Sequence, residues 1–319
     1  MSIKTENDGR MFPITDQSQT IMDCLTESAR RSKITIRCQT LITSIQEQEC
    51  APGGFKLVLD SGEHLAADRL IFATGSNPQG WEWARSLGHT IEPPVPSLFT
   101  FTVSDPRLDG LSGVAVPRAV LRLEQSGITQ EGALLVTHWG LSGPVVLKLS
   151  AWGARVLHDA GYQAQLSVNW LPEFRGGELL QRLHDLRERQ KLKKAPGDFS
   201  FGLPRRLWVR LAAKSGVLAN KRWTEVSNKV LEKLADELQA GIYSISGKSA
   251  FKEEFVTCGG VRLDEVDFRT MESKRCPHLY FAGEVLDIDG VTGGFNFQSA
   301  WTTGWIAGRS AAGTPVQAA

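Results

Sequence analysis

The spacing of apolar residues changes several times along the chain, and the changes divide it. In residues 15–32, Ile21, Met22, Leu25 and Ala29 recur at helical spacing, and Thr15 or Asp16 can cap the start. Residues 33–38, KITIRC, alternate through Ile34, Ile36 and Cys38 as a strand does. Leu41, Thr43 and Ile45 alternate again, and Phe55, Leu57 and Leu59 follow the breaker APGG. Asp60-Ser61-Gly62 makes a turn. A helix followed by a small β-meander is the expectation.

The pattern then shifts. Leu70-Ile71-Phe72-Ala73 is a continuous apolar run that stops at Thr74-Gly75, as a strand buried on both faces in a parallel sheet would. IEPPVPS (91–97) is rich in proline and reads as a domain crossing. Short β-like runs dominate 98–170, interrupted by one helix. Ser142 is its expected N-cap, with Val145, Leu149, Trp152 and Val156 on a shared face. Three leucine-marked helices fill 176–240, and the Lys and Arg between those leucines read as solvated faces. β-like text returns with IYSIS and FVT. The order is partial α/β, then a β plus α module, then α/β again. The expected domains are 1–97 and 257–319 as two parts of one discontinuous nucleotide-binding domain, with 98–256 inserted.

The end of the chain carries the strongest chemical pattern. Leu279-Tyr280-Phe281-Ala282 is a second buried run, ending at Gly283-Glu284. The loop VLDIDGVTGG (285–294) follows, and Phe295-Asn296-Phe297-Gln298 opens a helix with small residues at Ala300, Gly304, Ala307 and Gly308. A carboxylate at a strand's carboxyl end can accept hydrogen bonds from ribityl hydroxyls. Glycines let backbone N–H groups approach a planar ring. A helix N-terminus offers free N–H groups and partial positive charge to a reduced flavin. Glycine after the first apolar run, at Gly75, would serve the same sheet edge.

Composition bounds the rest. The 319 residues are 41% hydrophobic, and net charge is +1, which argues against nucleic acid or an anionic membrane as partner. Cys24, Cys38, Cys50, Cys258 and Cys276 form no CxxC pair, so a reducing cytoplasm fits best and a disulfide framework is not expected. The six histidines lack metal-ligand spacing. No apolar run reaches the length of a membrane-spanning helix.

GRMFP (9–13), ADRLIFATGS (67–76), LGHTIEPPVPSL (87–98), LLVTHWGLSGPVVLKLS (134–150), VTCGGVRLDEVDFRTMESK (256–274) and GEVLDIDGVTGGFNFQSAWTTG (283–304) together resemble the aminoacetone oxidase family of FAD-binding proteins, which also includes bile-acid-transforming flavoprotein reductases. The resemblance implies a Rossmann-like FAD domain of glutathione-reductase type, interrupted by a β-barrel and a helical subdomain. It implies cofactor contacts from Glu284, Asp287, Gly293, Gly294, Phe295, Asn296 and Gln298, beside Thr74, Gly75 and Gly283. It places the Cys258 turn near the flavin, where Cys258 reads as a small buried residue rather than a redox thiol. Arg10 is open between an acidic-substrate contact and an ion pair, and His138 reads as structural.

That fold needs G-x-G-x-x-G after its first strand, and the chain contains none. The family carries it before the stretch that matches Met1 onward, so the expectation is a chain lacking roughly the first quarter to third of the family's length, with an open row beside one strand of the sheet. The expected activity is hydride exchange between flavin and a small organic substrate, with O2 or NAD(P)H as electron partner. A cofactor-free remnant of such an enzyme is the alternative. A flavoprotein acting on RNA is a third reading, against which the near-zero net charge counts. No catalytic acid or base and no metal ligand is identifiable.

Overall fold

The computed structural model describes residues 1–7, 9–47, 54–197, 201–219, 221–248 and 256–313. Cys50 and most of the APGG breaker lie outside them. The chain divides into two compact units. One comprises Met1–Glu92, Gly260–Ile288 and Gly293–Ala319, the other Pro93–Gly259 and Asp289–Thr292. Each has its own apolar core.

The first unit is mixed α/β. Its main sheet has four strands in the order Val266–Asp267, Glu272–Ser273, Leu279–Phe281, Leu70–Phe72. The last two are parallel, with Leu279 opposite Leu70 and Phe281 opposite Phe72. Leu279 and Phe281 are fully buried, each worth about 1.5–3 kcal/mol of transfer free energy. The expectation of burial on both faces fails at Ile71, which is exposed, because among the described residues Leu70–Phe72 is the edge strand. A three-stranded antiparallel meander, Ile42–Glu47, Phe55–Leu59 and His64–Ala67, matches the alternation read there.

Two expectations ahead of the meander fail. Residues 33–38 form no strand. Lys33 (φ 56°) and Gln39 (φ 51°) bracket them in left-handed backbone, and Ile34 and Ile36 are exposed. The helix is Ser18–Arg31 with Gln17 at its N-cap and no side-chain cap, and it buries none of its residues. Asp16 cannot cap it: it has φ 54° and binds Lys4 instead.

The second unit is built on a seven-stranded antiparallel sheet. Its order is Gly241–Ile245, Ala164–Asn169, Ala115–Leu123, Thr129–Val136, Gly140–Ser142, Phe101–Thr102, Gly247–Lys248. Leu121, Leu134 and Leu166 from this sheet share one core with Leu183, Leu211 and Leu234 from the helices Glu178–Arg189, Arg205–Ser215 and Asn228–Ala240. Ser142 ends a strand rather than capping a helix. Gly143 is the N-cap of Pro144–Trp152, with Pro144 in its first turn. Gly153 then separates a second helix, Ala154–Asp159. Val145 and Leu149 are buried, while Trp152, at the last position of the first helix, and Val156, beyond the break, are exposed. Strands Ile91–Ser97 and Val256–Val261 pair with each other.

Candidate functional site

Because Leu70–Phe72 and Leu279–Phe281 run parallel and in register, their carboxyl ends lie side by side, and the amide of Ala282 donates to the carbonyl of Phe72 (2.8 Å). Thr74-Gly75 and Gly283-Glu284 therefore leave the same edge of one sheet. The helix Phe295–Ala311 packs against this edge. Thr303 Oγ1 accepts from Gly283 N–H (2.9 Å), and a side chain at Gly283 would touch Ala300 (3.6 Å). Of the small residues read along this helix, Ala300 sits where the strand end approaches and Ala307 is buried, whereas a Cβ built at Gly304 or Gly308 meets nothing within 4 Å.

The helix starts without a side-chain cap. Gly294, at its N-cap, has φ 89°, and a Cβ built there meets nothing within 4 Å. Gly75 has φ 60° and the same open space. A left-handed backbone with room beside it is what a close ligand approach requires, and an L side chain is disfavoured at both positions. Gly293 and Gly294 are exposed, Phe295 is exposed, and Asn296 is partly buried. Gln298 reaches along its own helix to Thr302 (3.0 Å). Asp287, partly buried, donates its amide to Val261 (3.0 Å).

Glu284 is the main titratable group of the arrangement. It is partly buried, and among the described residues its carboxylate has no hydrogen-bond or ion-pair partner. Burial pushes its pKa above the ordinary carboxylate value. Thr74 Oγ1 is likewise buried without a partner. A half-buried carboxylate and a hydroxyl left unsatisfied are costly unless something else binds them.

Several contacts at this edge escaped sequence reasoning. Gly80, in the helix Pro78–Ser86, lies against Thr74 so closely that a Cβ would sit 2.0 Å from Thr74 Oγ1. Trp81 donates from Nε1 to the carbonyl of Val285 (3.1 Å), tying that helix to the turn after Glu284. Behind the sheet lies a buried relay. Ser273 Oγ accepts from the amides of Arg275 (2.9 Å) and Cys276 (2.7 Å), so its proton faces His89 Nε2 (2.8 Å), and His89 Nδ1–H donates to Glu265. The serine oxygen is buried and already engaged, which makes this a structural network rather than a nucleophile.

Arg10, His138 and Cys258 lie on other segments of the chain. The Arg10 guanidinium lies over the Phe12 ring, 5.6 Å from its centroid. His138 packs edge-on against Trp139. Cys258 lies on the strand Val256–Val261 in the second unit. Burial pushes the Cys276 thiol up to about 12, so it is inert. Among the described residues no cluster of His, Cys, Asp and Glu could hold a metal ion, and no helix is long and apolar enough to cross a membrane.

A family model described as HI0933-like protein Rossmann domain matches residues 1–310. The chain is 30% identical over 322 residues to the 3-dehydro-bile acid delta(4,6)-reductase of Clostridium scindens, covering 96% of this chain and 76% of that protein. It is 31% identical over 309 residues to the ribosomal RNA dihydrouridine synthase of Escherichia coli, covering 93% and 72%. Over 233 residues it is 30% identical to the enzyme of that name from Haemophilus influenzae, covering 72% and 55%.

Proposed function

From a chain that belongs to the HI0933-like protein Rossmann domain family, we propose a flavin-dependent oxidoreductase that exchanges hydride between FAD and an organic substrate, with NAD(P)H or O2 as electron partner. The observation that carries this reading is Glu284, a partly buried carboxylate with no partner among the described residues, at the end of a parallel strand beside an uncapped 17-residue helix. The residues fit the cofactor in kind. Glu284 accepts hydrogen bonds from the ribityl hydroxyls. Gly75, Gly293 and Gly294 admit the ring, and the positive end of the helix Phe295–Ala311 favours negative charge on it. Bound there, the flavin supplies the hydride chemistry, while the protein supplies position and electrostatics. The second unit is read as a module inserted into the flavin domain.

The relatives' names support reduction of a carbon–carbon double bond as the direction of the reaction, since one names a delta(4,6)-reductase and the other a dihydrouridine synthase. Aminoacetone, after which the family of the sequence resemblance is called, does not appear among these names.

Titration of the purified protein with FAD, followed by quenching of flavin fluorescence, tests the reading. Saturable binding is expected. Gly294→Val should weaken it by about tenfold or more, because a side chain fills the approach, while costing the fold only about 1–2 kcal/mol for the left-handed backbone. A folded wild-type protein that leaves flavin fluorescence unquenched would establish the remnant reading instead.

A further inference from the structure

Net charge conceals how this chain distributes its cations. Residues 187–222 hold eleven Lys and Arg against two acids, in a chain whose totals are 36 against 35, so the remainder carries a net −8. We propose that the surface of the second unit formed around Arg189, Lys191, Lys193, Lys194, Lys221 and Arg222 binds the phosphodiester backbone of a nucleic acid. This surface is independent of the flavin site, and the proposal does not need the flavin reading.

The fold brings the two halves of the basic segment together. Lys194 and Arg222 are directly opposed in an antiparallel bridge. The amide of Ala195 donates to Lys221 (2.8 Å), and that of Trp223 donates to Lys193 (3.1 Å). Trp223 is fully buried beneath, which fixes the backbone while the cations face solvent. Like charges directly across a β pairing destabilise it, and evenly mixed signs are the ordinary state of a soluble surface. Little offsets the repulsion here: among the described residues the side chains of Arg189, Lys193, Lys194, Lys221 and Arg222 pair with no carboxylate, while Glu225 accepts from the Arg222 amide (2.7 Å) and Lys191 pairs with Glu188 (2.7 Å). A dense anion relieves that repulsion. On the same unit Arg205, Arg206 and Arg210 line an open cleft of about 280 Å³, where the Arg206 and Arg210 guanidiniums are steadied by the carbonyls of Gly110 and Asp109.

Nucleic acid suits this surface better than a lipid bilayer does. Interfacial helices lay an apolar face into the membrane. The helices here turn theirs inward, with Leu179, Leu183, Leu207, Trp208 and Leu211 buried, and the isolated exposed leucines Leu192 and Leu218 offer little to lipid.

Fluorescence anisotropy of the whole protein with a labelled RNA hairpin, single-stranded RNA and duplex DNA of matched length, and with vesicles containing phosphatidylserine, tests the proposal. Binding to nucleic acid is expected, with log affinity falling against log salt at a slope of roughly −4 for some five neutralised phosphates. The RNA and DNA arms distinguish the two sources of the backbone. Reversing Lys193, Lys194, Lys221 and Arg222 to Glu should weaken binding more than about tenfold and flatten the slope by about one per cation. Lys33→Glu, in the first unit, should change neither. If the reversed protein does not fold, Lys193→Gln with Lys194→Gln carries the same expectation at smaller size. Unchanged affinity in a folded variant, or binding to vesicles but not to nucleic acid, overturns the proposal.

Discussion

His89 Nδ1 lies 3.1 Å from Glu265 Oε2, and both side chains are buried behind the sheet of the first unit. Burial alone would raise the Glu265 pKa, but hydrogen bonds from Thr90 and Arg275 outweigh it and hold the carboxylate at about 2. Burial pushes His89 below the ordinary imidazole value, against the pull of Glu265. Both folded values lie under the unfolded ones, so unfolding takes up protons as the medium acidifies. Stability is therefore present above pH about 6.5, begins to fall below it as unfolded His89 protonates, and falls further from about 4.5 towards 2 through Glu265. Urea unfolding at a series of pH values should show both stages. In His89→Asn the first should flatten. Wild-type stability that stays constant from neutral pH down to pH about 5 contradicts the assignment.

Gly80 against Thr74 makes a second prediction. Gly80→Ala places a Cβ 2.0 Å from Thr74 Oγ1 and 2.7 Å from Thr74 Cβ, and rotation of the threonine relieves only the first contact. The helix Pro78–Ser86 must shift, at a cost of about 1–3 kcal/mol. Denaturant midpoints report the loss. A variant as stable as the parent would mean that this joint is looser than it is drawn.

Arg107 holds the second unit together in a comparable way. Its guanidinium reaches Asp105 (2.7 Å) and Glu237 (2.7 Å) and lies 3.6 Å over the Tyr243 ring, with little exposure of any partner. Burial opposes its charge, but the paired carboxylates raise its pKa well above the ordinary arginine value. Arg107→Ala strands Glu237, whose own pKa burial already raises, and should cost about 3–5 kcal/mol. Arg107→Ala with Glu237→Gln should recover part of that, and thermal melts of the two would show equal losses if the stranded charge is not the cause.

What could be read from the chain beforehand followed from local pattern. An apolar run that stops at a glycine marks a buried strand and its end, so Leu70–Phe72, Leu279–Phe281 and the helix from Phe295 were legible. Alternation over residues 33–38 misled because backbone at Lys33 and Gln39 overrides it, and no spacing announces that. His89 is 176 positions from Glu265 and 184 from Ser273, and meets them only through the fold. The lysines of 187–222 were legible one by one as solvated faces. Their convergence depends on the pairing of Lys194 with Arg222, which joins segments 28 positions apart in a stretch of otherwise helical text.

Glu284 separates a binding residue from a merely structural one. Its pKa is raised by burial, so the fold is less stable with the carboxylate ionised than with it neutral, and that penalty is present at neutral pH and relieved as pH falls through the folded value. Glu284→Gln removes the charge without removing bulk. Because the carboxylate has no partner among the described residues, the substitution breaks no contact within the protein. The variant should therefore melt at or slightly above the parent temperature at neutral pH without flavin. A carboxylate that accepts hydroxyl hydrogen bonds contributes about 1.5–3 kcal/mol per charged hydrogen bond, so FAD affinity should drop by roughly tenfold or more. In the parent, affinity should also weaken as acid protonates Glu284, and in the variant that dependence should vanish. A loss of apo stability with unchanged FAD affinity would show that Glu284 supports the turn Gly283–Val285 and does not serve a ligand.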